Sequence, residues 1–345
     1  MTLIFQLFIL IIIISSLVII SFFIYFGIRY YQTRQSKVQI KQYINRTDDL
    51  WFDYLVNQSS FNNEQLWNNS NEFKAIEEIL FSYTNNFSDE CIHNQISQFA
   101  NSLLTEKYRK QLKSRDKNVR INTLYRVHLF NISALSEDIQ EMMRKPKSDT
   151  EHFQLLLIYA KILPENFYDE FEKVQLNLSE FQFKILFAVI PKEIHMKVLD
   201  SFESLSVEGQ YAFIDVLGKS LDYADAEYLL KLLDSHEIEI RIRSLKALSE
   251  GGIILDEEKV LPFIDSEVWE ERLMVAKIFS KVEAEELVYK KLIEDSNWWV
   301  RNEVAQGLSL TRNGRVILEE IMRSSKDQYA VDASRKYLLK GEVIS

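Results

Sequence analysis

Proline and glycine are scarce in this chain, four and eight in 345 residues. They supply the fixed and the positive backbone angles of tight turns. The shortage argues against hairpin-rich folds and phosphate-cradling loops, and for helices joined by short connections. There is one cysteine, Cys91, so no internal disulfide can form, which suits a reducing compartment. Its nearest candidate for activation, His93, falls on a different side of a helix, and an inert thiol is expected. The five histidines, at 93, 128, 152, 195 and 236, include no H-x-x-x-H pair for a helical zinc site. Glu90 and His93 have the E-x-x-H spacing of di-iron bundles in a single copy, whereas such a centre draws ligands from several helices. No G-x-x-x-x-G-K-[ST], G-x-G-x-x-G or G-x-S-x-G motif occurs. No catalytic residue, cofactor or metal is therefore expected.

Acidic residues are missing from one stretch. Residues 1–46 hold no Asp or Glu but five basic residues, Arg29, Arg34, Lys37, Lys41 and Arg46. The other 36 basic and all 51 acidic residues lie beyond, a net charge of −15 that makes the body a poor general binder of nucleic acid. Residues 3–28 carry no charge. As a helix they extend about 39 Å, against about 30 Å of hydrocarbon in a bilayer. No Lys or Arg precedes the run, the run is too long for a signal-peptide core, and no Ala-x-Ala-like site follows it. A retained single-pass anchor is expected. The basic residues all stand on its C-terminal side, with Tyr25, Tyr30 and Tyr31 at the boundary. The positive-inside rule then places the N-terminus outside and the remainder in the cytoplasm, on a cell membrane. Residues 29–46 read as a basic juxtamembrane helix, an ordinary topology signal that anionic lipid headgroups can also bind.

Beyond the anchor, one pattern organises the chain. Asp295 leads to Val300 and Arg301, then to Val304, Ala305 and Leu308 at +3, +4 and +7 from the arginine, one face of a helix. The frame recurs as Asp265, Arg272, Val275, Ala276 and Phe279, and as Asp234, Arg241, Leu245 and Leu248. The three arginines are 31 and 29 residues apart. Stepping back by about the same interval reaches Gln210, Ser179, Thr150 and then Asp116 and Arg120 with Leu124 and Val127; stepping forward reaches Ala330. A fixed period near 30 residues marks a repeat array, here about eight helix pairs. Polar breaks at 145–149, Pro164 and Pro191 fall at helix boundaries, and Gly251, Gly252, Asn313 and Gly314 read as helix ends.

The D-x-x-x-x-V-R-like run that opens each second helix resembles HEAT-type (PBS-lyase-type) helical repeats, most closely over 225–312. The resemblance implies an α-solenoid of helix pairs over 105–345, and with the apolar run before it the expected fold is all-α, a transmembrane helix followed by that solenoid. Residues 47–104 form an irregular helical N-terminal cap, with turns near 57–63 and 68–71, amphipathic helices at 72–83 and 90–104, and an N-cap near Ser88 and Asp89. It also implies that Asp116, Arg120, Asp234, Arg241, Asp265, Arg272, Asp295 and Arg301 tie neighbouring repeats together. Trp269, Trp298 and Trp299 are expected just before the second helix of successive repeats and line up as candidates for protein interaction. Trp298 and Trp299 cannot both point inward on a helix.

A repeat fold is a surface rather than a chemistry. The expected function is a membrane-tethered, non-enzymatic scaffold or adaptor. Its partner is expected to be a membrane-associated protein, for which envelope or polysaccharide-synthesis machinery would be a natural client, and no nucleic acid is expected. The alternative is an enzyme or accessory subunit with a groove-bound substrate, of the HEAT-like lyase or hydroxylase type; only His236 and Glu237 match the His-Glu pairs that such hydroxylases repeat.

Overall fold

The computed structural model describes residues 2–60, 67–219, 221–253, 256–282 and 284–342, so the turn expected at 57–63 lies partly outside the described residues. The described residues hold helices and turns and no strand. They divide into two compact units, Met1–Ile158 and Tyr159–Ser345.

The first unit begins with α1 (Thr2–Leu55), a single helix of 54 residues, about 81 Å long. Hydropathy changes sharply after Ile28, yet no glycine or proline occurs from 28 to 55 to break the backbone, and the helix runs on. Beyond Leu55, Gln58 takes a left-handed φ of 53° and Asn57 donates to the Asp53 carboxylate at 2.8 Å. Side chains such as Phe23 and Ile24 stand free of the body, and α1 is long and apolar enough to cross a membrane. From Ile40 onward one face is covered: Tyr43, Trp51 and Leu55 are buried. This face meets α2 (Ser70–Asn86) and α3 (Glu90–Phe99). Trp51 lies edge-on to Phe99 at 5.1 Å, Ser36 donates to Asn71 at 2.7 Å, and Asn71 donates to Gln39 at 2.6 Å. The segment 29–55 is thus an integral helix of the first unit as well as the continuation of the apolar run.

Asp89 caps α3 by accepting from the Cys91 amide at 2.7 Å. A wide π turn, Ala100–Leu104, carries α3 into α4 (Thr105–Leu112). Then follow α5 (Lys117–Leu129), α6 (Ser136–Arg144) and α7 (Asp149–Ile162), inside which the division between the units falls.

The second unit contains α8 (Pro164–Val174), α9 (Glu180–Phe187), α10 (Lys192–Asp200), α11 (Val207–Leu217), α12 (Tyr223–Leu232) and α13 (Ile238–Gly251). It continues through α14 (Trp269–Phe279), α15 (Glu286–Ile293), α16 (Trp298–Ser309), α17 (Arg312–Ser324) and α18 (Gln328–Glu342). Odd members pack in series, α9 on α11 and α11 on α13, after which α14, α16 and α18 continue the succession. This is a solenoid-like arrangement of helices. The starts of α5, α7, α9, α11, α13, α14, α16 and α18 follow one another at intervals of about 30 residues, the period read from the arginine frame.

Local chemistry explains most boundaries. Pro164 opens α8 and Pro191 caps α10. Ser179 closes a capping box with Gln182. Gly252, at φ 69°, ends α13 in the left-handed conformation. Asn313 and Gly314, read as a helix end, instead lie in the first turn of α17, because Thr311 Oγ1 caps that helix by accepting from the Gly314 amide at 3.1 Å. Between α13 and α14 two short 3₁₀ turns, Glu257–Lys259 and Leu261–Asp265, replace an α-helix, the second with Pro262 at its start.

Successive helices approach closely where a side chain would intrude. A Cβ on Gly218 would sit 2.8 Å from the Ala247 Cα of the neighbouring α13. We expect Gly218→Val to cost about 1–3 kcal/mol by overpacking, read as a lowered midpoint in urea unfolding; an unchanged midpoint would mean that the α11–α13 spacing is not fixed.

Candidate functional site

Four arginines of the repeat frame do the same thing. Each is the fourth residue of its helix, and each sends NH1 back to the carbonyls six and five residues earlier, in the preceding turn. Arg120 reaches Ser114 (2.9 Å) and Arg115 (3.2 Å); Arg241 reaches Ser235 (2.9 Å) and His236 (3.2 Å). Arg272 reaches Ser266 (2.7 Å) and Glu267 (3.4 Å); Arg301 reaches Asp295 (2.5 Å) and Ser296 (2.9 Å). The rest of the guanidinium meets the following repeat. Arg120 pairs with Glu151 at 3.0 Å, Arg241 with Glu271 at 2.7 Å, and Arg272 grips Asp295 through two bonds of 2.5 and 2.9 Å. Arg301 lies instead over the Tyr329 ring, 4.9 Å from its centroid.

The aspartates divide differently. Asp295 takes part in this series, and Asp116 caps α5 through the Asn118 amide at 2.8 Å. Asp234 is 82% exposed at 3.8 Å from Lys259, and Asp265 pairs with Lys291 at the surface. Glu151 and Glu271, which sequence reasoning missed, stand 31 and 30 residues after the arginines they hold. One more step of the period would have found them.

The tryptophans lie on the outside of the second unit. Trp298 is 50% and Trp299 57% exposed, their rings edge to face at 4.7 Å, while Trp269 is half-buried. They belong to a longer series. Val207, Ile238, Trp269 and Trp298 are each the first residue of their helix, α11, α13, α14 and α16, and Phe181 and Tyr329 are the second residues of α9 and α18. Apart from Trp269, all of these are exposed apolar or aromatic side chains. Between α16 and α18 a recess of about 220 Å³ is lined by Trp298, Arg301, Asn302, Tyr329 and Lys336. Lys336 stands 5.2 Å from the Trp298 ring and donates to Asn302 at 2.7 Å.

A second concavity belongs to the first unit. Helices α2, α4 and α5 line an open cavity of about 550 Å³. Glu77 shares the apolar face of α2 with Phe73, Ile76 and Leu80, and the i, i+3, i+4, i+7 spacing marks it in the sequence as a carboxylate out of place. Its Oε1 accepts from the Tyr108 hydroxyl at 2.8 Å and pairs with Arg126 Nε at 3.0 Å. Burial pushes the Glu77 carboxyl above its ordinary value, against the opposing pull of Arg126, Tyr108, Lys107 and Lys74. The Lys107 ammonium lies 3.6 Å from the centre of the Phe73 ring, and burial lowers its pKa.

Along α1, Arg34, Lys37 and Lys41 are exposed and fall at i, i+3 and i+7, one basic stripe. Arg29 instead bonds the Tyr25 hydroxyl at 3.2 Å, and Arg46 stands over Tyr43 and 3.9 Å from Glu72. Cys91 is exposed, and His93 meets the Phe87 carbonyl at 2.9 Å rather than the thiol.

The sequence matches no protein-family model and no curated protein. Among solved structures it is similar to an engineered protein known from a crystal structure, at 13% identity over 80% of this chain and 92% of that one, with a TM-score of 0.35. A likeness at that level fixes neither family nor function.

Two expectations follow from these ion pairs. Arg120→Leu strands Glu151, whose side chain is 1% exposed, and should cost about 3–5 kcal/mol; the double change Arg120→Leu/Glu151→Leu should recover most of that loss in denaturant unfolding. For Glu77, a raised folded-state pKa means that ionisation weakens the fold. Its contribution is full below the ordinary value of 4.5 and is lost as pH rises through the raised one. The Tm of the native chain minus that of Glu77→Gln should therefore fall from about pH 4 to about pH 8. A difference that grows with pH would show that Arg126 outweighs desolvation.

Proposed function

We propose that this protein is a single-pass membrane scaffold whose HEAT-like repeat body holds a partner protein at the cytoplasmic membrane surface. The observation that carries the reading is the row of exposed first-turn side chains in the second unit, from Phe181, Val207 and Ile238 through Trp298 and Trp299 to Tyr329. Soluble surfaces do not ordinarily repeat a large apolar side chain at one structural position, and tryptophan and tyrosine are favoured at interface centres. The recess between Trp298 and Tyr329 is large enough for one side chain of a partner. The period and the repeated arginine-to-carbonyl bonds support the HEAT-like reading, with Arg120, Arg241, Arg272 and Arg301 in structural roles.

The tether supports the choice of partner. An apolar helix with its basic flank on the C-terminal side orients the body toward the cytoplasm, and the Arg34, Lys37 and Lys41 stripe suits anionic headgroups. Anchoring raises the effective concentration of the body toward other membrane proteins, and envelope or polysaccharide-synthesis machinery is the client this reading favours. The cavity of the first unit favours a second reading, an accessory enzyme subunit with a groove-bound substrate.

The scaffold reading is tested by placing a photo-crosslinking amino acid at Ile238, at Trp299 and, as a control, at Lys231 on α12 in cells. Adducts to one membrane protein from the first two positions and not from the third are expected. Trp298→Ala/Trp299→Ala should abolish co-purification of that protein, with each tryptophan contributing about 2 kcal/mol and the Tm unchanged. Absence of a common adduct would remove the proposal's main support.

A further inference from the structure

We propose that the cavity between α2, α4 and α5 binds an anionic amphiphile, its phosphate or carboxylate head held by Lys107 and its apolar body laid on Phe81 and Tyr125. This inference is independent of the protein-binding surface on the second unit.

The charged groups that line the cavity are unevenly matched. Glu77, Tyr108 and Arg126 satisfy one another through Glu77 Oε1, so the buried carboxylate already has its cation. Lys107 is left over. Its ammonium carries three donors, yet among the described residues it meets only the Phe73 ring and the distant charge of Glu77. The ring covers one side of the part-buried ammonium, and its other donors face the open cavity, where an anion can accept from them. The charges around it agree. Lys74, Lys107 and Arg126 face Glu77 and Glu78 across the lining, a formal excess of one positive charge in a body that is otherwise strongly acidic.

The walls specify the rest of the ligand. Phe81 and Tyr125 are exposed and present aromatic surface, in contact at 6.4 Å, with Phe73 and Phe130 buried behind them, while Ser70, Gln111 and Asn122 add polar edges. A volume of about 550 Å³ suits a small ligand or one headgroup with the start of its chain. An inorganic anion alone would leave the aromatic walls unused.

Two sources can supply such a molecule, a membrane lipid or a soluble organic anion. Ser70 lines the cavity, and its neighbour Asn71 is bonded to Ser36 and Gln39 of α1. Ser36 is eight residues past Ile28, about 12 Å along the helix axis. If the apolar part of α1 is inserted in a bilayer, that edge of the cavity stands just beyond the headgroup layer.

The test uses the full-length protein in maltoside micelles, titrated with dihexanoyl phosphatidic acid, phenyl phosphate and inorganic phosphate. Binding is followed by calorimetry and by tryptophan emission, since Trp67 touches Phe73 at 5.4 Å. One saturable site is expected for an amphiphilic anion. Lys107→Gln should weaken it about tenfold or more and Lys107→Arg should retain it, with the helical circular dichroism spectrum of the native chain kept in both variants. Tighter binding of the phosphatidic acid assigns the ligand to the membrane; tighter binding of phenyl phosphate assigns it to the soluble pool. Equal affinity for inorganic phosphate, or an unchanged affinity in Lys107→Gln, would overturn the proposal.

Discussion

A guanidinium taken out of water must be given acceptors on every side, and the repeats of this chain are built around that demand. Backbone carbonyls at the end of a turn have no partner of their own. The arginine at the fourth position of the next helix supplies donors to two of them and turns its remaining nitrogens toward the following repeat. One side chain thereby fixes a turn, the start of a helix and the spacing to a neighbour. The consequence reaches the surface. With the fourth residue held inward at the turn, the first residue is carried past the packed layer to the edge of the unit, where Ile238 and Trp298 stand exposed. The bonds that order the interior also set the exposed side chains in register.

The last member of the series departs from the others in an informative way. Arg301 keeps its carbonyls but has an aromatic ring where Arg120, Arg241 and Arg272 have a carboxylate. The guanidinium is satisfied more loosely there, beside a recess. Within the arginine series, the position flanked by the exposed rings of Trp298, Trp299 and Tyr329 is thus also the one where the carboxylate partner is replaced.

Much of the helical framework could be read from residues alone, because helix period and repeat period are both patterns of side chains. The apolar run and the helix starts near 117, 149, 180, 207, 238, 269, 298 and 328 come from such patterns. What could not be read belongs to the backbone or to distant contacts. The acceptors of the arginines are carbonyls, which every residue has. The resemblance gave the ties between repeats to the aspartates and arginines of the frame; Asp295 does hold Arg272, but Arg120 and Arg241 are held by Glu151 and Glu271, a full repeat away. The boundary placed after Ile28 reflected a change in hydropathy, while the helix ignores it for want of a breaker. The cavity required α2, α4 and α5 to meet, although Glu77 on an apolar face was a visible sign. Phe181, Val207, Ile238 and Tyr329 share the register of the tryptophans, but a single apolar residue at a helix start reads equally as core until its exposure is seen.

The unbroken passage of α1 from its apolar part into the first unit has a mechanical meaning. A flexible linker would let a tethered body tumble and sample all directions. Here Ile40, Tyr43 and Trp51 seat on the unit from the same helix that carries the apolar run. Rotation of that run about its axis is therefore rotation of the unit, and tilt of one is tilt of the other. Adding or removing a single residue between Ile28 and Ile40 would lift the unit by only about 1.5 Å but swing it by about 100° around the helix axis, like a key turned in its lock. The length of this segment thus sets a compass bearing, and only secondarily a height.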